Sequence, residues 1–239
     1  MGKKELTIYN ATWTRRYVKA VILAGGQGKR LRPITDYVPK AMVPIKNIPI
    51  IEWQIRFLQD NGISDIIVCT GYKSEMLEDL LSKMRLKGIN IDISNEKKPL
   101  GTAGAIKKLD SVITEKSFFV MNGDVITDID LKQLTRMPNS LASVPLRTKF
   151  GILDIDGDRI TEFGEKKHVR NMWMNAGIYC LEKSTLDDLP SKGDLERTLF
   201  PSYAQRKMLH AVKFKDALWH SIDSFKDIEE CSISLDNVM

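Results

Sequence analysis

The stretch Val18-Lys-Ala-Val-Ile-Leu-Ala24, running without a break into Gly25-Gly-Gln-Gly-Lys-Arg-Leu-Arg-Pro33, decides the fold. A short, almost wholly apolar run closed by glycines reads as a strand buried on both faces. Outward from it, apolar Ile51, Ile55 and Leu58 predict a helix over 49–60, stopped by Asn61-Gly62. Strands follow at Ile66–Cys69, Ile89–Ile93 and Phe118–Met121, with helices at Ser74–Met84 and 103–109 between them. Strands alternating with helices of about ten residues imply parallel βαβ units. After Pro138 the rhythm changes. Strand-like pieces at 140–146, 151–155, 159–163, 174–181 and 209–214, a turn at Asp156-Gly157-Asp158, and helices at 194–201 and 224–235 predict antiparallel additions. The expectation is an α/β fold: a Rossmann-like mixed, mostly parallel sheet with helices on both faces and an antiparallel elaboration. One domain spans 18–239, with halves at about 18–137 and 138–239. Residues 1–17 form an N-terminal extension, read as a cover for the sheet or for a neighbouring subunit of a homo-oligomer.

Composition bounds the function. The 239 residues are 43% hydrophobic, enough for a full core, so disorder and a disulfide scaffold are excluded. Cys69, Cys180 and Cys231 are odd in number and far apart, which predicts reduced thiols and a cytoplasmic protein. No apolar run reaches the roughly 18 residues of a membrane span, so no membrane partner is expected. The net charge of +5 hides an asymmetry: residues 1–50 carry ten Lys or Arg against Glu5 and Asp36, leaving that segment at +8 and the rest at −3. One end is built for anions. Its basic residues are interleaved with Gly and Pro rather than aromatics, so nucleic acid is not the expected partner.

The glycine-rich loop suits a phosphate, because glycines let backbone N–H groups close on an anion. It is not a Walker A loop, since Arg30 follows Lys29 where Ser or Thr is required. Nor is it a dinucleotide fingerprint, which would need glycine at Leu31. Arg30 and Lys40, the latter in Pro39-Lys-Ala-Met-Val-Pro44, supply two cations suited to a polyphosphate. Asp124 ends a buried strand at its carboxyl end, where open α/β sheets bind ligands. Asp223 precedes a helix and serves either the site or the helix N-terminus. His168, His210 and His220 have no metal-cluster spacing, and no Ser-His-Asp arrangement is legible.

The run Leu-Ala-Gly-Gly-Gln-Gly-Lys-Arg-Leu-Arg-Pro-Ile-Thr35 with Pro39-Lys40 resembles the signature of the sugar-1-phosphate nucleotidylyltransferases. Glu96-Lys-Lys-Pro-Leu-Gly-Thr-Ala-Gly104, Asn122-Gly-Asp124, Phe163-Gly-Glu-Lys166, Asn175-Ala-Gly177 and Trp219-His-Ser-Ile-Asp223 follow in that family's order, over about 18–230. The resemblance implies nucleotidyl transfer from a nucleoside triphosphate to a sugar 1-phosphate, with pyrophosphate leaving and Mg²⁺ held by Asp124 and Asp223. It assigns catalysis to Arg30 and Lys40, and nucleotide contact to Leu23, Ala24, Gly25, Gly26, Glu96, Gly101, Thr102 and Asn122. Gly151, Glu165 and Asn175 fall to the sugar and Lys166 to its phosphate. The motifs lean towards GTP with mannose 1-phosphate or a related sugar, with UTP or dTTP and glucose 1-phosphate close behind. Lys167 stands where relatives commonly have Pro, and Ser221-Ile-Asp-Ser224 departs from the usual ending. A cytidylyltransferase acting on phosphocholine or a phosphonate, and a non-catalytic nucleotide-sugar sensor, are the rivals. The chain ends before the C-terminal β-helix some members append, so acyltransferase chemistry is not expected.

Overall fold

A computed structural model of the chain describes residues 18–148, 150–164 and 168–236. The first half runs β1 (Lys19–Leu23), β2 (Pro44–Ile45), β3 (Ile48–Pro49), α1 (Ile50–Asp60), β4 (Asp65–Thr70), α2 (Ser74–Lys83), β5 (Asn90–Asn95), α3 (Gly101–Lys107), β6 (Ser117–Asn122) and β7 (Val125–Thr127). The second continues with β8 (Ser140–Arg147), β9 (Ile152–Asp156), β10 (Arg159–Gly164), β11 (His168–Glu182), α4 (Thr185–Asp188), α5 (Leu199–Gln205), β12 (His210–Lys213), β13 (Trp219–Ser221) and α6 (Phe225–Asp236).

Seven strands form one sheet in the order β12-β8-β11-β6-β1-β4-β5. Strands β6, β1, β4 and β5 are parallel, and β12 is parallel to β8. Only β11 runs against its neighbours, pairing antiparallel with both β6 and β8. The carboxyl ends of β1, β4 and β6 therefore share one edge, and Asn175–Gly177 of β11 arrives at that same edge from the opposite direction.

Strand alternation divides the core in two. Ala20 and Ile22 of β1 pack with α1 and α2 on one face, while Val21 packs with α3, α4 and α5 on the other. Helices on both faces follow from this, because strands apolar at every position need cover on each side. A third cluster joins Leu31, Val43, Ile45, Ile50 and Ile222 to Cys231 and Leu235 of α6, seating the loops beside the sheet's carboxyl edge. All three cysteines are free and buried.

The structure departs from sequence expectation in several places, among them the unexpected short elements β2, β3 and α4. The helix expected over 194–201 begins only at Leu199, because residues 193–195 fold back on α3: Ala103 N donates to Gly193 O (2.9 Å) and Leu195 N to the Thr102 hydroxyl (2.8 Å). Strand β11 extends from His168 rather than 174. The short strands β7 and β13 were not foreseen, and they pair antiparallel, Ser221 against Val125.

Candidate active site

A cleft of about 610 Å³ opens at the carboxyl edge of the parallel strands, a volume ordinary for small-molecule sites. Its floor is the loop after β1. Ala24 N donates to Cys69 O (2.9 Å) and Tyr72 N to Gly25 O (3.1 Å), so the loop is pinned to the end of β4. A Cβ at Gly25 would collide with the Glu96 carboxylate, which would have to turn aside. Glu96 is itself fixed, its Oε2 accepting from Leu100 N at 2.8 Å while Oε1 lies over Gly25. Gly101 opens α3 at φ +76°, and a Cβ would run into Gly193 O. Leu23, Ala24, Gly25, Gly26, Glu96, Gly101, Thr102 and Asn122 all line this cleft.

The opposite wall carries the charge. Lys29–Leu31 makes a short 3-10 turn whose buried Leu31 anchors it and whose Arg30 points outward. Lys40 starts another such turn, anchored by buried Ala41 between flanking prolines. Lys40 Nζ donates to Asp124 Oδ2 at 2.6 Å and to Asp223 Oδ1 at 2.7 Å, and Arg30 Nη2 donates to Asp223 Oδ1 at 2.7 Å. Two carboxylates and two cations distant in sequence thus meet at one point.

The β7–β13 pairing explains how the carboxylates meet. Asp124 immediately precedes β7, Asp223 follows β13 by two residues, and Ile222 N donates to Asp124 O at 2.9 Å. The helix-cap alternative for Asp223 falls to its neighbour. Ser224 Oγ accepts from Asp227 N (3.4 Å), while the Asp227 carboxylate takes Asp223 N (3.0 Å) and the Ser224 hydroxyl (2.8 Å). That reciprocal box satisfies the start of α6 and leaves the Asp223 side chain to the cleft.

The donor set fits Mg²⁺. Mg²⁺ takes one or two carboxylates and completes its shell with water and substrate phosphates. Two carboxylates sharing one ammonium offer hard oxygen ligands where positive charge is already held. Among the described residues no group of three or more His, Cys, Asp or Glu could hold a metal.

Cys69 also lines the cleft. Burial, then the negative charge of Glu96, pushes its thiol up to about 12, so it is protonated at neutral pH and is no nucleophile. Asp194, at the foot of α3, is a cleft residue that sequence reading missed.

The other half is arranged differently. Asn175 lies midway along β11, where its Oδ1 accepts from Gly177 N (2.9 Å) and its Nδ2 donates to the Tyr179 hydroxyl (2.9 Å). One N–H and one lone pair remain for a ligand. Gly151 is exposed just before β9. Glu165 and Lys166 lie outside the described residues.

Residues 19–237 match the family model described as nucleotidyl transferase. The chain is 34% identical over 225 residues to mannose-1-phosphate guanyltransferase beta-A of Xenopus laevis, covering 88% of this chain and 62% of that protein. It therefore spans under two thirds of that relative's length. It is 35% identical over 178 residues to D-glycero-alpha-D-manno-heptose 1-phosphate guanylyltransferase of Aneurinibacillus thermoaerophilus, covering 71% of this chain and 77% of that one. The crystal structure of HddC from Yersinia pseudotuberculosis superposes with a TM-score of 0.74 at 30% identity, over 91% of this chain and 99% of that one, and HddC has also been solved complexed with GMP-PN. The mixed Rossmann-like sheet and the carboxylate-bearing cleft at its edge define a nucleotidyltransferase fold. The chain belongs to the nucleotidyl transferase family.

Proposed function

We propose that the chain transfers a guanylyl group from GTP to a hexose or heptose 1-phosphate, giving a GDP-sugar and pyrophosphate. The observation that carries this reading is the meeting of Asp124, Asp223, Lys40 and Arg30 opposite a glycine-rich loop, with Glu96 at the far wall. An oxygen of the sugar phosphate attacks the α-phosphorus in line, forming the new P–O bond. The bond from that phosphorus to the β-phosphate oxygen breaks, and pyrophosphate leaves with the electron pair. The nucleophile is already an anion, so no general base is needed. Arg30 and Lys40 offset the charge that develops on the departing oxygens, and the loop after β1 holds the phosphates by its N–H groups. Mg²⁺ held by Asp124 and Asp223 would supply further neutralisation of the same charge.

Glu96 supports guanine. Guanine offers two adjacent donors, N1–H and the 2-amino group, to one carboxylate; uracil and thymine flank a single N–H with carbonyls that a carboxylate repels. The two guanylyltransferase relatives agree with that choice, and the relatives' sugars suggest a manno-configured acceptor.

One phosphoanhydride is exchanged for another, so the reaction runs readily backwards. Given labelled pyrophosphate, Mg²⁺ and a panel of nucleotide sugars, the protein should form labelled GTP in clear preference to other triphosphates. Labelled UTP or dTTP would overturn the base and leave the mechanism standing. Exchange with CDP-choline alone would favour the phosphocholine reading, and no exchange at all would favour a sensor.

A further inference from the structure

Helix α1 buries Ile50, Ile51, Ile55 and Leu58 against the sheet, and the same face carries one polar residue, Gln54, which is 1% exposed. Its Nε2 donates twice, to Asn122 O at 2.8 Å and to Val125 O at 2.9 Å. Its Oε1 is buried with no partner. The amide cannot be turned the other way, because its oxygen would then face two carbonyl oxygens. Packing alone would place another aliphatic side chain here, and an unpaired buried amide oxygen is unfavourable. What the position gains is two donors aimed at carbonyls on either side of Gly123-Asp124.

Those bonds complete a frame. Gly123 N donates to Leu23 O (3.0 Å) and Ile222 N to Asp124 O (2.9 Å), so the turn is tied to β1, to the segment bearing Asp223, and to α1. The first two ties come from backbone and any sequence could make them. The third depends on one side chain, from an element that contributes no residue to the cleft lining.

We infer that Gln54 is a positioning residue for the proposed transfer: its double hydrogen bond fixes the Asn122–Val125 turn and hence the direction in which Asp124 presents its carboxylate. The inference rests on the reading of Asp124 given above for its kinetic consequence, and on geometry alone for its structural one. A turn held on three sides keeps the carboxylate at a constant distance from Asp223 and Lys40; held on two, it can rock about the line joining Leu23 and Ile222.

The test uses Gln54→Met, which keeps volume and loses both donors, with Gln54→Leu as a second variant should the first fail to fold. Amide hydrogen exchange followed by NMR should speed at least tenfold at Gly123 and Ile222 while strands β1 and β4 keep their protection. In steady-state assays kcat should fall tenfold or more with KM for the triphosphate changed less than threefold, because the residues expected to contact the nucleotide, Asn122 apart, lie outside this turn. Unchanged exchange at those two amides overturns the inference. So does exchange that quickens throughout the sheet with a matching fall in Tm, which is the signature of an ordinary core residue. If the wild type transfers no nucleotide to any acceptor, the functional reading fails while the exchange result still decides what Gln54 does.

Discussion

The two halves of the sheet handle their functional residues in opposite ways. In the half built on β1, β4, β5 and β6, parallel strands deliver their carboxyl ends to one edge, and every nucleotide-site residue expected there lines a single cleft. In the half built on β8 to β12, Asn175 has half of its amide engaged within its own strand, and Gly151 lies exposed at the root of the β9–β10 hairpin. Parallel topology gathers loops at one end by itself. An antiparallel addition gathers nothing unless its own turns are built to do so. On the proposed function, the first half carries the chemistry and the second the choice of acceptor.

The hardest test of that division removes the chemistry. Asp124→Asn should lower kcat a hundredfold or more, about 2.7 kcal/mol, with circular dichroism and Tm close to wild type. Asp223→Asn should cost less than Asp223→Ala, since an amide oxygen can still act as a ligand. Because Ser224 and Asp227 cap α6, neither Asp223 variant should lower Tm by much. A large fall in Tm with little change in kcat would return Asp223 to a structural role. Full turnover in excess EDTA would remove the metal from the mechanism.

A smaller effect separates the halves kinetically. Lys166→Ala should raise KM for the sugar phosphate and spare that for GTP, whereas Arg30→Ala should lower kcat, since Arg30 stands with Asp223 at the charged wall. Loss of one charge-assisted contact should cost about 1.5–3 kcal/mol in kcat/KM. If Lys166→Ala weakens GTP alone, the two halves have been given the wrong substrates.

How far the sequence could be read follows the same divide. Buried parallel strands are near-continuous apolar runs, so β1, β4 and β6 were legible to within a residue or two, and the loop after β1 announced itself by its glycines. Strands β7 and β13, three residues each, are too short to show a period, yet they bring Asp124 and Asp223 together. The pairing of the two carboxylates was therefore legible only through a family resemblance. Gln54 escaped because helical periodicity counts apolar residues; the available signal was a polar residue at 54 among Ile51, Ile55 and Leu58. The start of α5 was misplaced because the fold-back of 193–195 onto Gly101 and Thr102 is a tertiary contact that no local propensity encodes.

A pH-dependent effect probes the framework of the first half. Lys19 Nζ, at the start of β1, donates to Glu115 Oε1 at 2.9 Å, just before β6. Burial pushes the Glu115 carboxyl up, but the hydrogen bond from Lys19, backbone N–H groups and the lysine's charge outweigh it and hold the group below its usual 4.5. A lowered folded-state pKa gives stability that is present above the unfolded value and lost as pH falls through the folded one. Glu115→Gln should therefore cost a few tenths to about 1 kcal/mol at pH 7, the pair being partly screened by solvent. The difference in urea midpoint from wild type should shrink below pH 4.5. A difference that grows in acid would reverse the sign of the coupling.

The smallest expected effect lies in the second half. Register places Ile155 opposite Ile160 and Leu153 opposite Phe163, with the irregularity between Ile160 and Glu162 keeping all four on one face of the β9–β10 hairpin. Ile155, Ile160 and Phe163 are 62, 59 and 64% exposed, whereas the apolar residues of β1 are nearly all buried. A side chain that makes little contact in the folded chain has little to lose, so Ile155→Thr should change stability by under about 0.5 kcal/mol and leave KM for GTP alone. The same change in β1, Ile22→Thr, buries a hydroxyl in a core position and should cost several times more. Equal losses at the two sites would mean that the hairpin face is covered in solution. Denaturation repeated over a hundredfold range of protein concentration then identifies the cover: a Tm that rises with concentration points to a second copy of the chain. A Tm that stays constant points to contact within one molecule, and the contrast drawn between the halves would fail at that surface.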